Sequence, residues 1–160
     1  MQRQDAAAVV TEAGAADLDT VRELFTEYQR GLGVDLCFQG FADELATLPG
    51  DYAAPRGALW IARLNGVAVG CVGLRPTRGE DAELKRLYVR PAARGHGLGK
   101  RLTLLALARA RDLGYAGVVL DTLPSMRAAQ ALYRAQGFAP VDGYYATPLV
   151  GTLFYRCPLR

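Results

Sequence analysis

The chain has 160 residues, 51% of them apolar, and a formal net charge of +3 at pH 7, which is typical of one globular domain and too weakly basic to indicate nucleic acid binding. No stretch approaches the ~18 apolar residues that a membrane-spanning helix needs, and the N-terminus lacks the basic and apolar regions of a secretory signal. Three widely spaced cysteines and one histidine argue against a disulfide framework and a metal site. We therefore expect residues 1–160 to form one cytoplasmic domain with no membrane, metal or nucleic acid partner.

The first fifty residues predict a strand and two helices. Residues 6–11 fit a short strand. Asp17 or Asp19 then caps a helix that ends near Gly33. This helix is predicted by apolar residues at helical spacing, which are Val21, Leu24, Phe25 and Tyr28. A shorter second helix is expected within residues 41–48, before a proline and a glycine.

The middle of the chain predicts three strands. Segments 58–64 and 67–74 flank Asn65-Gly66, a dipeptide that supplies the positive φ angles of a tight hairpin turn. Segment 82–90 follows as a third strand and ends at Pro91. Two of these strands are therefore expected to pair in an antiparallel hairpin.

The rest of the chain alternates helices and strands. A helix is predicted over residues 98–113, a strand over 117–121, a helix capped by Ser125 that runs to Gln136, and a last strand over 150–157. The connection from strand 82–90 through the helix to strand 117–121 should be a right-handed parallel crossover. An α/β fold with a mixed sheet covered by helices follows.

A glycine-rich segment, Arg94 to Arg101, lies between that strand and that helix. Its alternating glycines allow a tight turn, and N–H groups at a helix N-terminus form an anion site suited to a pyrophosphate. The spacing G-x-G-x-G differs from the dinucleotide fingerprint. Arginines at positions 94 and 101 exclude a Walker loop.

Positive charge is concentrated around this segment. Residues 1–80 carry a net charge of −4 and residues 81–160 a net charge of +7, with six of the bases between Lys85 and Arg101. A local cluster in a weakly charged domain fits a small polyanionic ligand better than a nucleic acid. A nucleic acid-binding domain, with strongly salt-dependent binding, remains a third hypothesis, and a merely solvated basic face is the simplest alternative.

The glycine-rich segment also resembles a family signature. Arg94-x-x-Gly97-x-Gly99 is similar to the acetyl-CoA-binding motif of the GNAT N-acetyltransferase superfamily, and the strand at 83–91 resembles the strand that precedes it there. Segment 131–138, with Tyr133 and a closing Gly-Phe, resembles the family's second motif. The resemblance covers about residues 6–158. Within the family, the chain resembles a bacterial subgroup of the small-molecule type.

The resemblance implies a fold and a cofactor. The fold is a central, mostly antiparallel sheet of about six to seven strands flanked by about four helices. Acetyl-CoA would place its pyrophosphate on the loop and its pantetheine arm along the preceding strand, where the fourth and fifth strands splay apart. Many relatives have an asparagine where this chain has Ser125, and His96 is interpreted as a permissive loop position. The implied cofactor-binding residues are Leu87, Tyr88, Val89, Arg94, Gly95, His96, Gly97, Leu98, Gly99, Lys100 and Ser125.

The resemblance also implies catalytic roles. Glu83 would be the general base that deprotonates the acceptor amine, directly or through water, and Tyr133 the acid that protonates the leaving CoA thiolate. Two alternatives stay open. Glu83 would otherwise be a solvated carboxylate that pairs with Lys85 on the same strand, and Tyr133 would otherwise be a packing residue.

The resemblance implies only the chemical class of the acetyl acceptor. A small amine or amino acid is the preferred acceptor, and a protein N-terminus or lysine is the alternative. A CoA-binding regulatory module without catalysis is a further alternative, and family members often form homodimers. The candidate substrate-binding residues are Phe38, Gln39, Arg75, Tyr144 and Tyr145.

Overall fold

The computed structural model describes residues 8–36 and 40–160. Within these ranges one seven-stranded sheet is accompanied by four helices. The strands are β1 (Ala8–Glu12), β2 (Ala58–Leu64), β3 (Val67–Pro76), β4 (Ala82–Val89), β5 (Gly117–Thr122), β6 (Ala139–Val141) and β7 (Leu153–Pro158). The helices are α1 (Leu18–Leu32), α2 (Phe41–Ala46), α3 (Leu98–Asp112) and α4 (Arg127–Ala135).

The sheet has the order β1-β2-β3-β4-β5-β7-β6. All neighbouring strands are antiparallel except β4 and β5, which are joined by the crossover through α3. The predicted mixed α/β fold is confirmed, including the hairpin turn at Asn65, whose φ is +51°. Strand β6 was not predicted because it has only three residues, contains Pro140 and is exposed throughout.

Alternate residues of the strands supply two hydrophobic cores, one on each face of the sheet. Leu59 and Ile61 of β2 face α1, whose buried residues include Leu24. Trp60, between them, faces the other way toward α3 and packs with Leu102. The two helices therefore cover opposite faces of the same sheet, and α3 holds the glycine-rich loop at its start.

The sheet opens between its two parallel strands. β4 and β5 pair only at Ala82 with Val118 and at Glu83 with Val119. Beyond this point β4 contains a bulge, marked by a φ of +60° at Arg86 and by a register shift against β3. From there β4 remains paired only with β3, and β5 only with β7.

Several predicted boundaries were wrong. Ser125 does not cap α4, because Met126 occupies the N-cap position and no side chain caps the helix. The preceding turn is instead closed by Met126, whose N–H donates to the Leu123 carbonyl at 3.0 Å. The last strand begins at Leu153 because Gly151, with a φ of +79°, continues a turn.

Two of the cysteines lie in strands. Cys71 in β3 and Cys157 in β7 are buried free thiols. In the described part of the chain, no helix combines the length and apolarity needed to cross a membrane. Nor do the described residues include three or more His, Cys, Asp or Glu side chains grouped so that they could hold a metal ion.

Candidate active site

A cavity of about 530 Å³, the loop cavity, lies where the end of β4, the glycine-rich loop and the start of α4 meet. Ten of the eleven predicted cofactor-binding residues line it, and His96 does not. Tyr28 and Leu32 of α1 and Met126, Ala129 and Leu132 of the α4 region complete much of its wall. Ser125 lines the cavity although it is not a helix cap.

The loop exposes backbone N–H groups because two of its glycines adopt positive φ. Gly95 has a φ of +88°, and Gly97, at +70°, is the N-cap of α3. The first helical hydrogen bond joins the Arg101 N–H to the Gly97 carbonyl, so the N–H groups of 98–100 have no intrahelical acceptor. With Lys100 also at the cavity, this end of α3 has the backbone donors and the positive charge that suit an anion.

The open edge of β4 forms a second wall of the loop cavity. Leu87 and Val89 line it, and no ladder partner faces this part of β4 on the β5 side among the described residues. Arg94 donates from Nε to the Val89 carbonyl at 3.2 Å, which fixes the loop against the strand end. An extended ligand could pair with this edge as an added strand.

A larger cavity of about 960 Å³, the carboxylate cavity, lies on the other side of the strand opening. Glu83 is its central acid, and only 6% of this residue is exposed. Glu83 Oε1 accepts a hydrogen bond from Arg75 Nε at 2.8 Å, and Oε2 accepts one from the Tyr144 hydroxyl. The alternative of a solvated Glu83 paired with Lys85 does not hold, because Glu83 is buried and Lys85 pairs with Asp121.

A chain of ion pairs continues from Glu83 to α2. Arg75 Nη1 lies 3.3 Å from Glu44 Oε1, and Arg86 Nε lies 3.1 Å from Glu44 Oε2. Arg86 is almost fully buried and its guanidinium stacks over Phe41 at 4.9 Å. Since buried charges are stable only when paired and hydrogen-bonded, these residues hold one another in position.

Lys85 and Asp121 form a second buried pair, with Nζ 3.4 Å from Oδ1. Burial lowers the pKa of Lys85, and the charges of Asp121 and Glu83 oppose this change. Burial alone would raise the pKa of Asp121, but the Lys85 ammonium and the hydrogen bond from Tyr145 leave that pKa below its ordinary value. Asp121 is therefore ionised at neutral pH.

Tyr133 lies on α4 and points into the core, with its ring 5.6 Å from that of Phe138. It lines neither cavity, although Ala129 and Leu132 of the same helix line the loop cavity. Burial raises the pKa of Tyr133, and Tyr28 and Asp121 add to the rise. Its hydroxyl thus stays protonated at neutral pH.

The structure places three of the five predicted substrate-binding residues beside the buried carboxylates. Arg75 and Tyr144 contact Glu83, and Tyr145 contacts Asp121. Phe38 and Gln39 lie outside the described residues.

Sequence reasoning missed Glu44, Lys85 and Asp121 as members of the site, together with Tyr52, whose buried hydroxyl has no partner in the described residues. Charged residues at alternate positions of an apolar strand, as at Glu83 and Lys85, were the available signal.

Comparison with known proteins supports the same interpretation. The sequence pattern of the family described as "Acetyltransferase (GNAT) family" matches residues 18–138. An N-acetyltransferase of Schizosaccharomyces pombe is 40% identical over 142 residues, covering 88% of this chain and 87% of the relative. A protein of Azospirillum brasilense named IAA acetyltransferase is 37% identical over 145 residues, covering 88% and 92%.

Solved structures share the fold. A GNAT acetyltransferase from Staphylococcus aureus superposes with a TM-score of 0.80 at 22% identity, covering 96% of this chain and 100% of the other. The PaiA N-acetyltransferase of Thermoplasma acidophilum, solved in complex with coenzyme A, has a TM-score of 0.73 at 17% identity and covers 95% and 99%.

The family match and the two relatives define the class of the protein as an N-acetyltransferase, and the fold agrees with it. The chain belongs to the GNAT family of acetyltransferases.

Proposed function

We propose that this protein transfers the acetyl group of acetyl-CoA to the amine of a small molecule or amino acid. The observation that carries the proposal is the arrangement of two cavities on either side of the β4–β5 opening. One contains an anion site and a free strand edge, and the other contains a buried carboxylate. Such an arrangement suits a reaction that joins a phosphorylated donor to a cationic acceptor.

Acetyl-CoA fits the loop cavity by its chemistry. Its pyrophosphate would accept hydrogen bonds from the N–H groups of the 94–99 loop, with Lys100 nearby as a compensating charge. Its pantetheine arm would pair with the edge of β4 at Leu87 and Val89, and its thioester would then reach the strand opening. The bulge at Arg86 lies at this level of the strand.

The acceptor amine would enter the carboxylate cavity and meet Glu83. An alkyl ammonium must lose a proton before it attacks, since its pKa is about 8 to 10 and only the neutral form is nucleophilic. Glu83 is assigned as the base. Both of its oxygens already accept one hydrogen bond, and each retains a lone pair for the incoming ammonium.

The transfer itself is a direct attack. The neutral amine nitrogen forms a bond to the thioester carbon and gives up one of its protons, the C–S bond breaks, and CoA leaves as a thiolate that takes up a proton, so that the products are the amide and the free CoA thiol. Tyr133 is assigned as the donor of that proton from the resemblance to the family's second motif, and its hydroxyl is protonated, with the charge of Asp121 on β5 close enough to raise its pKa. The burial that keeps it protonated also makes it a weak acid, so its contribution should be smaller than that of Glu83.

The test measures binding and turnover separately. Melting temperature is recorded with and without acetyl-CoA, and thiol release is followed with short alkyl amines, amino acids and peptides. We expect acetyl-CoA to raise the melting temperature and at least one small amine to release thiol. Binding with thiol release only from peptides would move the proposal to a protein acetyltransferase. No change in melting temperature at millimolar acetyl-CoA would contradict the cofactor assignment.

A further inference from the structure

The ion pair between Lys85 and Asp121 occupies a special level of the sheet. The parallel ladder of β4 and β5 ends at Glu83 and Val119. Counting two residues along each strand from that pair brings Lys85 level with Asp121. Their side chains, 3.4 Å apart, therefore join the two strands where backbone hydrogen bonds have stopped.

The same pair separates the two cavities. Lys85 lines the carboxylate cavity, while Asp121 lines a small void of about 20 Å³ behind it. Tyr28 and Met126 line both that void and the loop cavity. The route that leads from the loop cavity through this void to the carboxylate cavity therefore passes the Lys85–Asp121 pair.

Burial makes this pair a fixed feature. The Lys85 side chain is only 3% exposed and that of Asp121 16% exposed. Asp121 is held in turn by a hydrogen bond from Tyr145. A buried ion pair often contributes little to stability compared with apolar side chains of similar size. Stability alone therefore does not explain why this pair lies at the opening between β4 and β5.

We propose that Lys85 is a catalytic cation of the acetyl-transfer site and that Asp121 is its positioning residue. The inference rests on the function proposed above. An ammonium on Lys85, which the charges of Asp121 and Glu83 favour against the effect of burial, lies beside the acceptor and disfavours the ammonium form of that amine, which assists its deprotonation by Glu83. The same charge stabilises the negative charge that develops on the thioester oxygen during attack.

The experiment compares three variants with the wild type. Lys85→Met removes the charged Nζ and keeps a flexible chain that is one atom shorter. Lys85→Met with Asp121→Asn also removes the buried charge that the single change leaves without its partner. Lys85→Arg keeps the cation. Each variant is measured for melting temperature, acetyl-CoA affinity, and thiol release with ethylamine and with glycine as probe acceptors.

We expect both variants without the Lys85 charge to lose about 10²-fold in kcat, the size of one lost oxyanion donor, with acetyl-CoA affinity within about threefold of wild type. The double variant should recover the melting temperature of the wild type without recovering kcat, whereas Lys85→Arg should retain more activity than Lys85→Met.

Two results would overturn the assignment. One is a double variant with wild-type kcat, which would make the pair structural. The other is a folded Lys85→Arg variant as inactive as Lys85→Met, which would show that positive charge is not what acts. Failure of the proposed function gives a different result. The wild type itself would then release no thiol with either amine, and the role of Lys85 would be contradicted together with that function.

Discussion

The two cavities are built in different ways. The loop cavity combines the end of β4 and the glycine-rich segment, within residues 87–100, with residues of α1 and of the 125–132 region. The carboxylate cavity is lined mostly by residues 75–85, to which Asp51, Val119 and residues 144–146 contribute from elsewhere in the chain. The first cavity is marked in the sequence by a short glycine motif, whereas the contacts of Glu83 with Arg75 and Tyr144 form only when the chain is folded.

Substitutions in the two cavities should therefore have different effects. Changes in the loop cavity should alter acetyl-CoA binding through backbone geometry. Changes in the carboxylate cavity should alter the chemical step through side-chain charge, with little effect on acetyl-CoA affinity. Four predictions test this separation.

The largest effect is expected for Glu83→Gln. Loss of the base should lower kcat by about 10³-fold, within the usual range for general acid–base catalysis, and leave acetyl-CoA affinity within about threefold. Steady-state kinetics and a binding titration measure the two quantities. Asp81→Asn is the matched control, because this carboxylate lines the same cavity but pairs with Arg156. Equal losses in both variants would remove the special role of Glu83.

The next effect is expected for Tyr133→Phe. If the hydroxyl supplies the proton for the thiolate, kcat should fall by about 10²-fold, the low end of the range for acid catalysis, because burial raises the pKa of this group. The melting temperature should change little, since the ring contact with Phe138 is retained. An unchanged kcat would assign Tyr133 to packing alone.

A smaller effect is expected for Gly97→Ala, which places a side chain at a φ of +70°. No neighbour would clash with the added Cβ, so the change acts through the backbone at a cost of about 1–2 kcal/mol. Gly114→Ala, at a φ of +83° beyond the other end of α3, is the matched control. Both should destabilise the fold similarly, but only Gly97→Ala should weaken acetyl-CoA binding, by about tenfold. Equal affinities would place the anion site elsewhere.

The smallest effect is expected for Arg109→Gln, which breaks an exposed ion pair with Glu12 outside both cavities. The hydrogen bond from Arg109 holds the pKa of Glu12 below its ordinary value. The pair therefore stabilises the fold above that ordinary value and loses this contribution as the pH falls through the folded-state pKa. Solvent screening limits the effect to about 0.5 kcal/mol or less.

Urea unfolding of the Arg109→Gln variant and the wild type at pH 7 and at pH 3 measures this contribution. The difference in free energy of unfolding should shrink at the lower pH, and neither acetyl-CoA affinity nor kcat should change. A loss of activity would mean that charges far from the cavities act on the site.

Sequence patterns predicted most of the fold because each long element carries its own signal. Helix α3 follows a glycine cap, and the β2–β3 hairpin follows from Asn65-Gly66. Predictions failed where the signal is nonlocal or weak. Ser125 looked like a helix cap, but the turn before α4 is closed by backbone and by Gln130, whose side chain donates to the Leu123 carbonyl at 2.9 Å.

The glycine-rich loop is predictable from the sequence alone, because positive-φ glycines and a helix start are properties of neighbouring residues. The ion pairs around Glu83 depend on the tertiary structure. Glu44, Lys85 and Asp121 belong to three separate elements, and no local pattern states that Glu44 will pair with Arg75 and Arg86, or Lys85 with Asp121. Pairing of buried charges depends on how strands and helices meet, which is fixed only when the whole core packs.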